Sequence, residues 1–199
     1  MCGIFGFAGS RLDPDHLARA AHGATRRGPH GHGWAAVGPT PGFRHQLGSA
    51  DIDVHAIPPD ATAVLGHGRL ATSGPADAAG LQPLAAGPGW LAHNGNVYNA
   101  AQLRPAAVTD SHALALVYAH GRAGGLDPAT ALKQLVDQAE QVAWVIVVLD
   151  ADGHLYGHRY THPLFTCTTA TGTYWSSRRC CATAEPLPEL VPFSTAGER

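Results

Sequence analysis

The order of predicted elements along this 199-residue chain indicates an α+β fold. Short apolar runs bounded by Gly and Pro, typical of strands, occupy both ends of the chain, whereas the two longest helical patterns fall together between them. A fold of alternating βαβ units would instead intersperse helices with strands. Because 45% of the residues are hydrophobic, one domain of this length can bury a sizeable core.

The first half of the chain supplies predicted strands and one helix. The apolar residues after Cys2 predict an opening strand, and Asp13 followed by Pro14 predicts a capped helix that runs to about Ala24. A Gly/His-rich loop at 26–33 leads into short strands up to about residue 59. Further strands are expected at 62–69 and 89–94.

The second half begins with the two predicted helices, at 111–120 and 128–140. The longest apolar run, 142–149, is β-branched and too short to span a bilayer, which predicts a buried strand. A hairpin-type turn at 152–153 then leads into a meander with strands at 154–159, 164–169 and 173–177. We assign residues 2–180 to one domain and the Pro-rich residues 181–199 to a C-terminal tail, either extended or forming an edge segment.

Composition excludes several functional classes. A formal charge of −2 with 14% charged residues excludes electrostatic binding of nucleic acid, and no membrane segment is evident. The N-terminus lacks the basic and apolar regions of a signal peptide, so we expect a cytoplasmic protein. Its four cysteines lack C-x-x-C spacing, and in such a reducing compartment we expect them to be thiols: Cys2, Cys167, Cys180 and Cys181.

The first candidate for chemistry is Cys2. Removal of Met1 would leave Cys2 with both a thiol and a free α-amine. A thiol of pKa about 8.5 is mostly protonated at neutral pH, whereas an α-amine of pKa about 7.7–8.0 can accept a proton there. N-terminal amines activate such nucleophiles. The alternative is a small buried residue at the start of a strand, and Cys2 alone favours that structural role.

Three further polar positions are framed by glycines or by strand ends. Arg69 can offer a planar two-donor fork to a carboxylate, or it can be a solvated surface arginine or join a structural ion pair. Asn94 and Gly95 can together form an oxyanion hole, although Asn-Gly is also a strong hairpin signal. Asp110 can bind an ammonium group, although capping a helix is its default role.

A metal site is not expected. The chain has a His30-x-His32 pair, with His22 and His67 elsewhere, but neither an H-E-x-x-H pattern nor a carboxylate-rich cluster.

Five segments, taken together and in order, carry a family resemblance: Cys2-Gly-Ile-Phe-Gly, Arg27-Gly-Pro-His-Gly-His-Gly, Gly66-His-Gly-Arg-Leu-Ala-Thr, His93-Asn-Gly-Asn and Thr109-Asp-Ser. They resemble the signatures of the class II glutamine amidotransferases, which are N-terminal-nucleophile hydrolases, and the resemblance extends over roughly residues 2–177. It implies a four-layer αββα sandwich of two antiparallel sheets between helix layers. The chain departs from the family pattern at Gly68, where the family often has Thr, and at His112, where it often has Glu.

The resemblance also implies roles for particular residues. Cys2 is implied to be the nucleophile, with its own amine as the base, and Asn94 and Gly95 to form the oxyanion hole. Arg69 is implied to bind the α-carboxylate of glutamine and Asp110 its α-ammonium group. Thr72 is implied to assist, and the loop at 26–33 to be a flexible segment over the substrate. No cofactor is implied.

Only about twenty residues follow the last family-like strand, and the chain has no P-loop or Rossmann fingerprint. We therefore expect a stand-alone glutaminase subunit that supplies ammonia to a separate synthase. One alternative is a γ-glutamyl amide hydrolase that acts on a metabolite without transferring ammonia. Another, from a different class, is a non-catalytic glutamine-sensing or structural subunit.

Overall fold

The computed structural model of the protein describes residues 1–49, 51–189 and 193–194. Within these residues the strands are β1 (Gly3–Gly9), β2 (Gly31–Val37), β3 (Gly42–Leu47), β4 (Ala63–Arg69), β5 (Leu84–Ala86), β6 (Gly89–Gly95), β7 (Trp144–Leu149), β8 (Leu155–Tyr160), β9 (Phe165–Thr169), β10 (Gly172–Ser176), β11 (Glu185–Pro186) and β12 (Phe193–Ser194). The helices are α1 (Pro14–Thr25), α2 (Ala100–Leu103), α3 (Asp110–Ala123) and α4 (Pro128–Gln138). Short 3-10 helices lie at Val54–Ala56 and Ala78–Gly80.

The strands form two antiparallel sheets. The larger sheet has the order β11-β9-β10-β1-β4-β2-β3, and the smaller has the order β12-β8-β7-β6-β5. Helix α1 packs on the outer face of the larger sheet, whereas α3 packs on the outer face of the smaller one, with α4 against it. The four layers are therefore α, β, β and α, and the predicted αββα sandwich is confirmed.

Side-chain alternation along β1 shows how the layers are held together. Phe5 and Phe7 point to the cluster beneath α1, whereas Ile4 points to the cluster between the two sheets. On β6, Leu91 likewise faces the helices and Ala92 faces the other sheet. Residues at even positions near the start of β1 and the end of β6 consequently share the space between the sheets.

The capping residue predicted at the start of α1 is confirmed, whereas the one predicted at the start of α3 is not. Asp13 caps α1 by accepting hydrogen bonds from the backbone N–H groups of Asp15 and His16, and Pro14 opens the helix. At α3, however, the cap is Thr109, whose Oγ1 accepts from the backbone N–H of His112 at 3.0 Å. The default role of Asp110 as a cap is therefore wrong, since Asp110 is the first residue of the helix itself.

Two parts of the predicted C-terminal tail add strands to the sheets. β11 pairs with β9 at the edge of the larger sheet, and β12 pairs with β8 at the edge of the smaller one. The remaining tail residues, 190–192 and 195–199, lie outside the described residues. The domain boundary at residue 180 stays a prediction.

The expectation that all four cysteines are thiols is wrong. Cys167 of β9 and Cys181 form a disulfide across a Cα–Cα distance of 6.3 Å, and Cys2 and Cys180 are free. After β10 the chain turns back and pairs β11 with β9, which carries Cys167. The spacing of the cysteines in the sequence does not reveal this contact. Because disulfides persist mainly in oxidising compartments, the cytoplasmic location stays a prediction.

Among the described helices, none has the length and apolar character required to cross a membrane.

Candidate active site

A small cleft opens at one end of the two sheets, where β1 starts and where β4 and β6 end. The register places Gly3 opposite Gly68, so that Cys2 and Arg69 come together at this end of the larger sheet. Five of the six predicted site residues line the cleft: Cys2, Arg69, Thr72, Gly95 and Asp110. The sixth, Asn94, lies next to Gly95 on β6.

The Cys2 thiol is held by the backbone that follows β4. Its Sγ accepts a hydrogen bond from the N–H of Leu70 and donates one to the carbonyl of the same residue, both at 3.3 Å. Burial raises the pKa of Cys2; the Leu70 N–H, the chain's terminal ammonium group and the Arg69 guanidinium oppose this rise. The thiol is therefore mostly protonated at neutral pH, and a nucleophilic role requires a base beside it.

The start of β1 is fixed in place from the opposite side. Ile4 and Ser177 exchange two hydrogen bonds of 2.9 Å, and the carbonyl of Ser177 accepts a third from Nη1 of Arg27 at 3.1 Å. Nη2 of Arg27 lies 3.5 Å from Sδ of Met1. The Arg27 guanidinium therefore contacts both Met1 and the carbonyl of Ser177.

Arg69 is the last residue of β4, and only 3% of its surface is exposed. Its Nη1 donates to the carbonyl of Asp77 and its Nη2 to the carbonyl of Ser73, both at 3.3 Å. Gly80 allows this placement, since a Cβ on that residue would lie 2.2 Å from Nη2 of Arg69. The guanidinium retains N–H donors that these two carbonyls do not use.

Asp110 supplies the opposite charge at the same cleft. Its carboxylate, on a residue that is 8% exposed, accepts hydrogen bonds from the backbone N–H groups of Val97 at 3.1 Å and Ser111 at 2.8 Å. Within the described part of the chain, neither Asp110 nor Arg69 has an ion-pair partner within 4.0 Å. The cleft thus carries one buried cation and one buried anion that do not neutralise each other.

Asn94 and Gly95 do not form the hairpin turn that their sequence also allowed. Both belong to β6 and pair with Val145 and Trp144 of β7. Asn94 is 2% exposed, and its amide Nδ2 is buried without a hydrogen-bond partner among the described residues. Since buried donors are nearly always satisfied, an unused one beside the cleft suggests a place for an acceptor from a ligand.

A polar network that the sequence did not reveal forms part of the cleft wall, which Gln82, His93 and Ser111 line. The backbone N–H of His93 donates to Oε1 of Gln82 at 2.6 Å, and Nε2 of Gln82 donates to Oγ of Ser111 at 3.0 Å. Nδ1 of His93 lies 2.9 Å from the same Oγ, and Nε2 of His67 lies 3.1 Å from the His93 carbonyl. Burial lowers the pKa of His93 to about 4 and that of His67 to about 3. Both imidazoles are therefore neutral, and the network joins β6 to α3. The only sequence signal was the position of His93 and Ser111 next to predicted site residues.

The loop at 26–33 contacts β4 and the residues that follow it, and its expected role as a flexible segment over the substrate stays a prediction. The backbone N–H of His30 donates to the carbonyl of Arg69, and Nδ1 of His30 accepts from the N–H of Ala71 at 2.9 Å. Residues from Gly31 onward are already part of β2.

Thr72, at the rim of the cleft, donates from its hydroxyl to Oδ1 of Asn96 at 3.4 Å. This hydrogen bond links the segments that follow β4 and β6.

The layers define a four-layer αββα sandwich, and comparison with solved structures supports this fold. The glutamine phosphoribosylpyrophosphate amidotransferase from B. subtilis, complexed with ADP and GMP, matches 94% of this chain with a TM-score of 0.72 and 21% identity. A structure described as the allosteric regulatory enzyme of purine biosynthesis also matches 94%, with a TM-score of 0.71 and 22% identity. The chain spans 44% and 45% of these two proteins. No protein-family model and no curated protein sequence matches the chain.

Proposed function

We propose that this chain is a glutaminase of the class II glutamine amidotransferase type, which hydrolyses the side-chain amide of glutamine to glutamate and ammonia. The observation that carries this proposal is the pair of buried, unneutralised charges of Arg69 and Asp110 in the cleft that contains Cys2. An α-amino acid carries one carboxylate and one ammonium group, both attached to the same Cα atom. Its binding would give each buried charge the partner that it lacks.

In this proposal the side chain of glutamine extends from the charged pair toward Cys2. Asn94 and Gly95 are the last two residues of β6, at the cleft end of the strand. The unpaired Nδ2 of Asn94 would donate a hydrogen bond to the amide oxygen of the substrate. Donors of this kind contribute about 2.7–4 kcal/mol each where they have been measured, because they act on the charge that develops in the transition state.

The proposed reaction has two steps. After Met1 is removed, the α-amine of Cys2 takes the thiol proton, and Sγ attacks the amide carbon of glutamine to form an oxyanion facing Asn94 and Gly95. The amine returns the proton to the leaving nitrogen, so that ammonia departs and a γ-glutamyl thioester remains. Water then attacks the thioester, which releases glutamate and restores the thiol. The raised pKa of Cys2 supports the need for this base.

The proposal extends to partners. The ammonia would pass to a separate synthase or transferase subunit, and the reaction needs no cofactor, nucleic acid or membrane. Thr72 would assist substrate binding from the rim of the cleft, where its hydroxyl already joins the two loops.

Mass spectrometry and a glutamine-like electrophile test the proposal. We expect the protein to have lost Met1 and diazo-oxo-norleucine to add once, at Cys2, with Cys180→Ala labelled normally as the matched control and Cys2→Ala unlabelled. Wild-type protein should release glutamate from glutamine, and Cys2→Ala should not. Glutaminase activity retained in Cys2→Ala would refute the mechanism. Hydrolysis of γ-glutamyl conjugates but not of glutamine would instead support the metabolite hydrolase.

A further inference from the structure

A second concave surface, lined by arginines, lies outside the cleft. It is an open groove of about 740 Å³ between the C-terminal half of α1 and the segment that follows β10. We call it the arginine groove; its cationic or ionisable lining residues are Arg19, His22, Arg26, Arg178 and Arg179. It shares no residue with the cleft that contains Cys2. Its volume falls within the range of about 300–1,000 Å³ that is typical of small-molecule sites.

Two elements bring the arginines together. Successive residues of the set Arg19, His22 and Arg26 are three and four positions apart, so they share one face of α1 and its C-terminal end. Gly23 lies between them, and a Cβ there would approach Cβ of Arg178 to 3.2 Å. The glycine therefore allows the segment after β10 to approach the helix closely. Two walls of the groove carry arginines as a result.

One of these arginines is already fixed in position. The guanidinium of Arg179 lies 5.1 Å from the ring centroid of Phe165 and donates a hydrogen bond to the carbonyl of Ala184. Such contacts orient the guanidinium before a ligand arrives, which lowers the entropy cost of binding.

The four arginines of the groove have no ion-pair partner among the described residues. No carboxylate there lies within 4.0 Å of any of their guanidinium groups, whereas His22, which also lines the groove, lies 4.0 Å from Asp51. The dipole of α1 favours cations in its last turn only, which accounts for His22 and Arg26 but not for Arg19 or Arg178. The whole chain has a formal charge of −2, so the cations are concentrated locally.

We propose that the arginine groove binds a small molecule that bears two or more phosphate groups. Guanidinium groups present paired donors that match phosphate oxygens, and several of them on two walls suit several phosphates better than one. A protein partner would need about 800 Å² of surface on each side, whereas the arginines are gathered in one concavity. An acidic polypeptide is the competing occupant.

Isothermal titration with pyrophosphate and with ATP, at constant ionic strength, tests this proposal on the full chain. We expect a dissociation constant below about 1 mM for at least one of the two probes. The variant Arg19→Gln/Arg178→Gln should bind at least about tenfold more weakly, because it loses two charge-assisted contacts. The matched control Arg11→Gln/Arg44→Gln changes the net charge equally at exposed arginines elsewhere, and it should bind like the wild type.

Repeating the titration with Cys2→Ala separates this site from the proposed glutaminase, because that protein should bind the probes unchanged. Affinity that falls equally in the groove variant and in the charge-matched control would overturn the proposal. So would the absence of binding of both probes, or the binding of polyglutamate without that of pyrophosphate, which would instead indicate an acidic protein partner.

Discussion

Replacement of Gly80 by alanine should displace the guanidinium of Arg69 and weaken glutamine binding. A Cβ at this position would lie 2.2 Å from Nη2, 2.3 Å from Cζ and 2.7 Å from Nη1 of Arg69. Non-bonded heavy atoms prefer about 3.5–4.0 Å, so the guanidinium must move by about 1 Å or more. Gly80 belongs to a 3-10 helix with an ordinary backbone, which alanine can adopt without strain.

The size of the effect follows from the contacts at stake. A hydrogen bond to a charged group contributes about 1.5–3 kcal/mol, and about 1.36 kcal/mol corresponds to a factor of ten. Loss of one such contact to the substrate carboxylate should therefore raise the KM for glutamine by about 10- to 150-fold. Because Asn94 and Gly95 are untouched, kcat should fall far less.

Glutamate release over a range of glutamine concentrations measures the effect. Gly124→Ala is the matched control, since its added Cβ makes only ordinary contacts far from the cleft. Lysine leaves room beside residue 80, so Arg69→Lys/Gly80→Ala should be no worse than Arg69→Lys alone. An unchanged KM in a folded Gly80→Ala protein would show that Arg69 does not hold glutamine from its observed position.

Three other perturbations probe the oxyanion hole, a buried histidine and a buried carboxylate. Asn94→Ala should lower kcat by about 10²–10³ with little change in KM, and a change in KM alone would contradict its role. Burial lowers the pKa of His67 from its ordinary value of 6.5 to about 3 in the folded protein, so between these pH values only the unfolded chain binds the extra proton. Urea unfolding should therefore show stability falling as the pH drops from 6.5 toward 3, and an equal slope in His67→Gln would contradict this cause. Tyr118→Phe removes a 2.6 Å hydrogen bond to Asp150, which is 1% exposed and paired with Arg122. The substitution should lower the free energy of unfolding, measured with urea, by about 1.5–3 kcal/mol. A decrease of less than about 0.5 kcal/mol would refute that magnitude.

Features encoded locally were predictable from the sequence. The helix start at Asp13 was predicted because the cap and the first turn are contiguous, and the strand 144–149 because its β-branched run is continuous. The four-layer arrangement came from the family resemblance, since five short signatures in a fixed order constrain a fold more than periodicity does. The comparison with solved structures confirms that fold, whereas the roles of the site residues stay predictions.

Features that depend on tertiary contacts were not predictable. Thr109 and Asp110 are both good capping residues, and the choice between them follows from the backbone N–H of Val97, which engages the Asp110 carboxylate from another segment. The disulfide between Cys167 and Cys181 depends on the return of the chain to β9. The contact of Gln82 with Ser111 joins residues far apart in the sequence and leaves no periodic signal.

The cleft is divided between the two sheets. On the side of the larger sheet, Cys2 immediately precedes β1 and Arg69 ends β4. On the side of the smaller sheet, Asn94 and Gly95 end β6, and Asp110 begins the helix α3 that packs on that sheet. The apolar layer between the sheets, together with a few polar contacts such as that of His67 with the His93 carbonyl, sets the distance between these halves. A cavity made in that layer, for instance by Val147→Ala, would let the sheets shift by fractions of an ångström while each remained folded. The proposed glutaminase activity should consequently disappear at milder denaturant concentrations than secondary structure does, so that this activity would report the alignment of the two sheets.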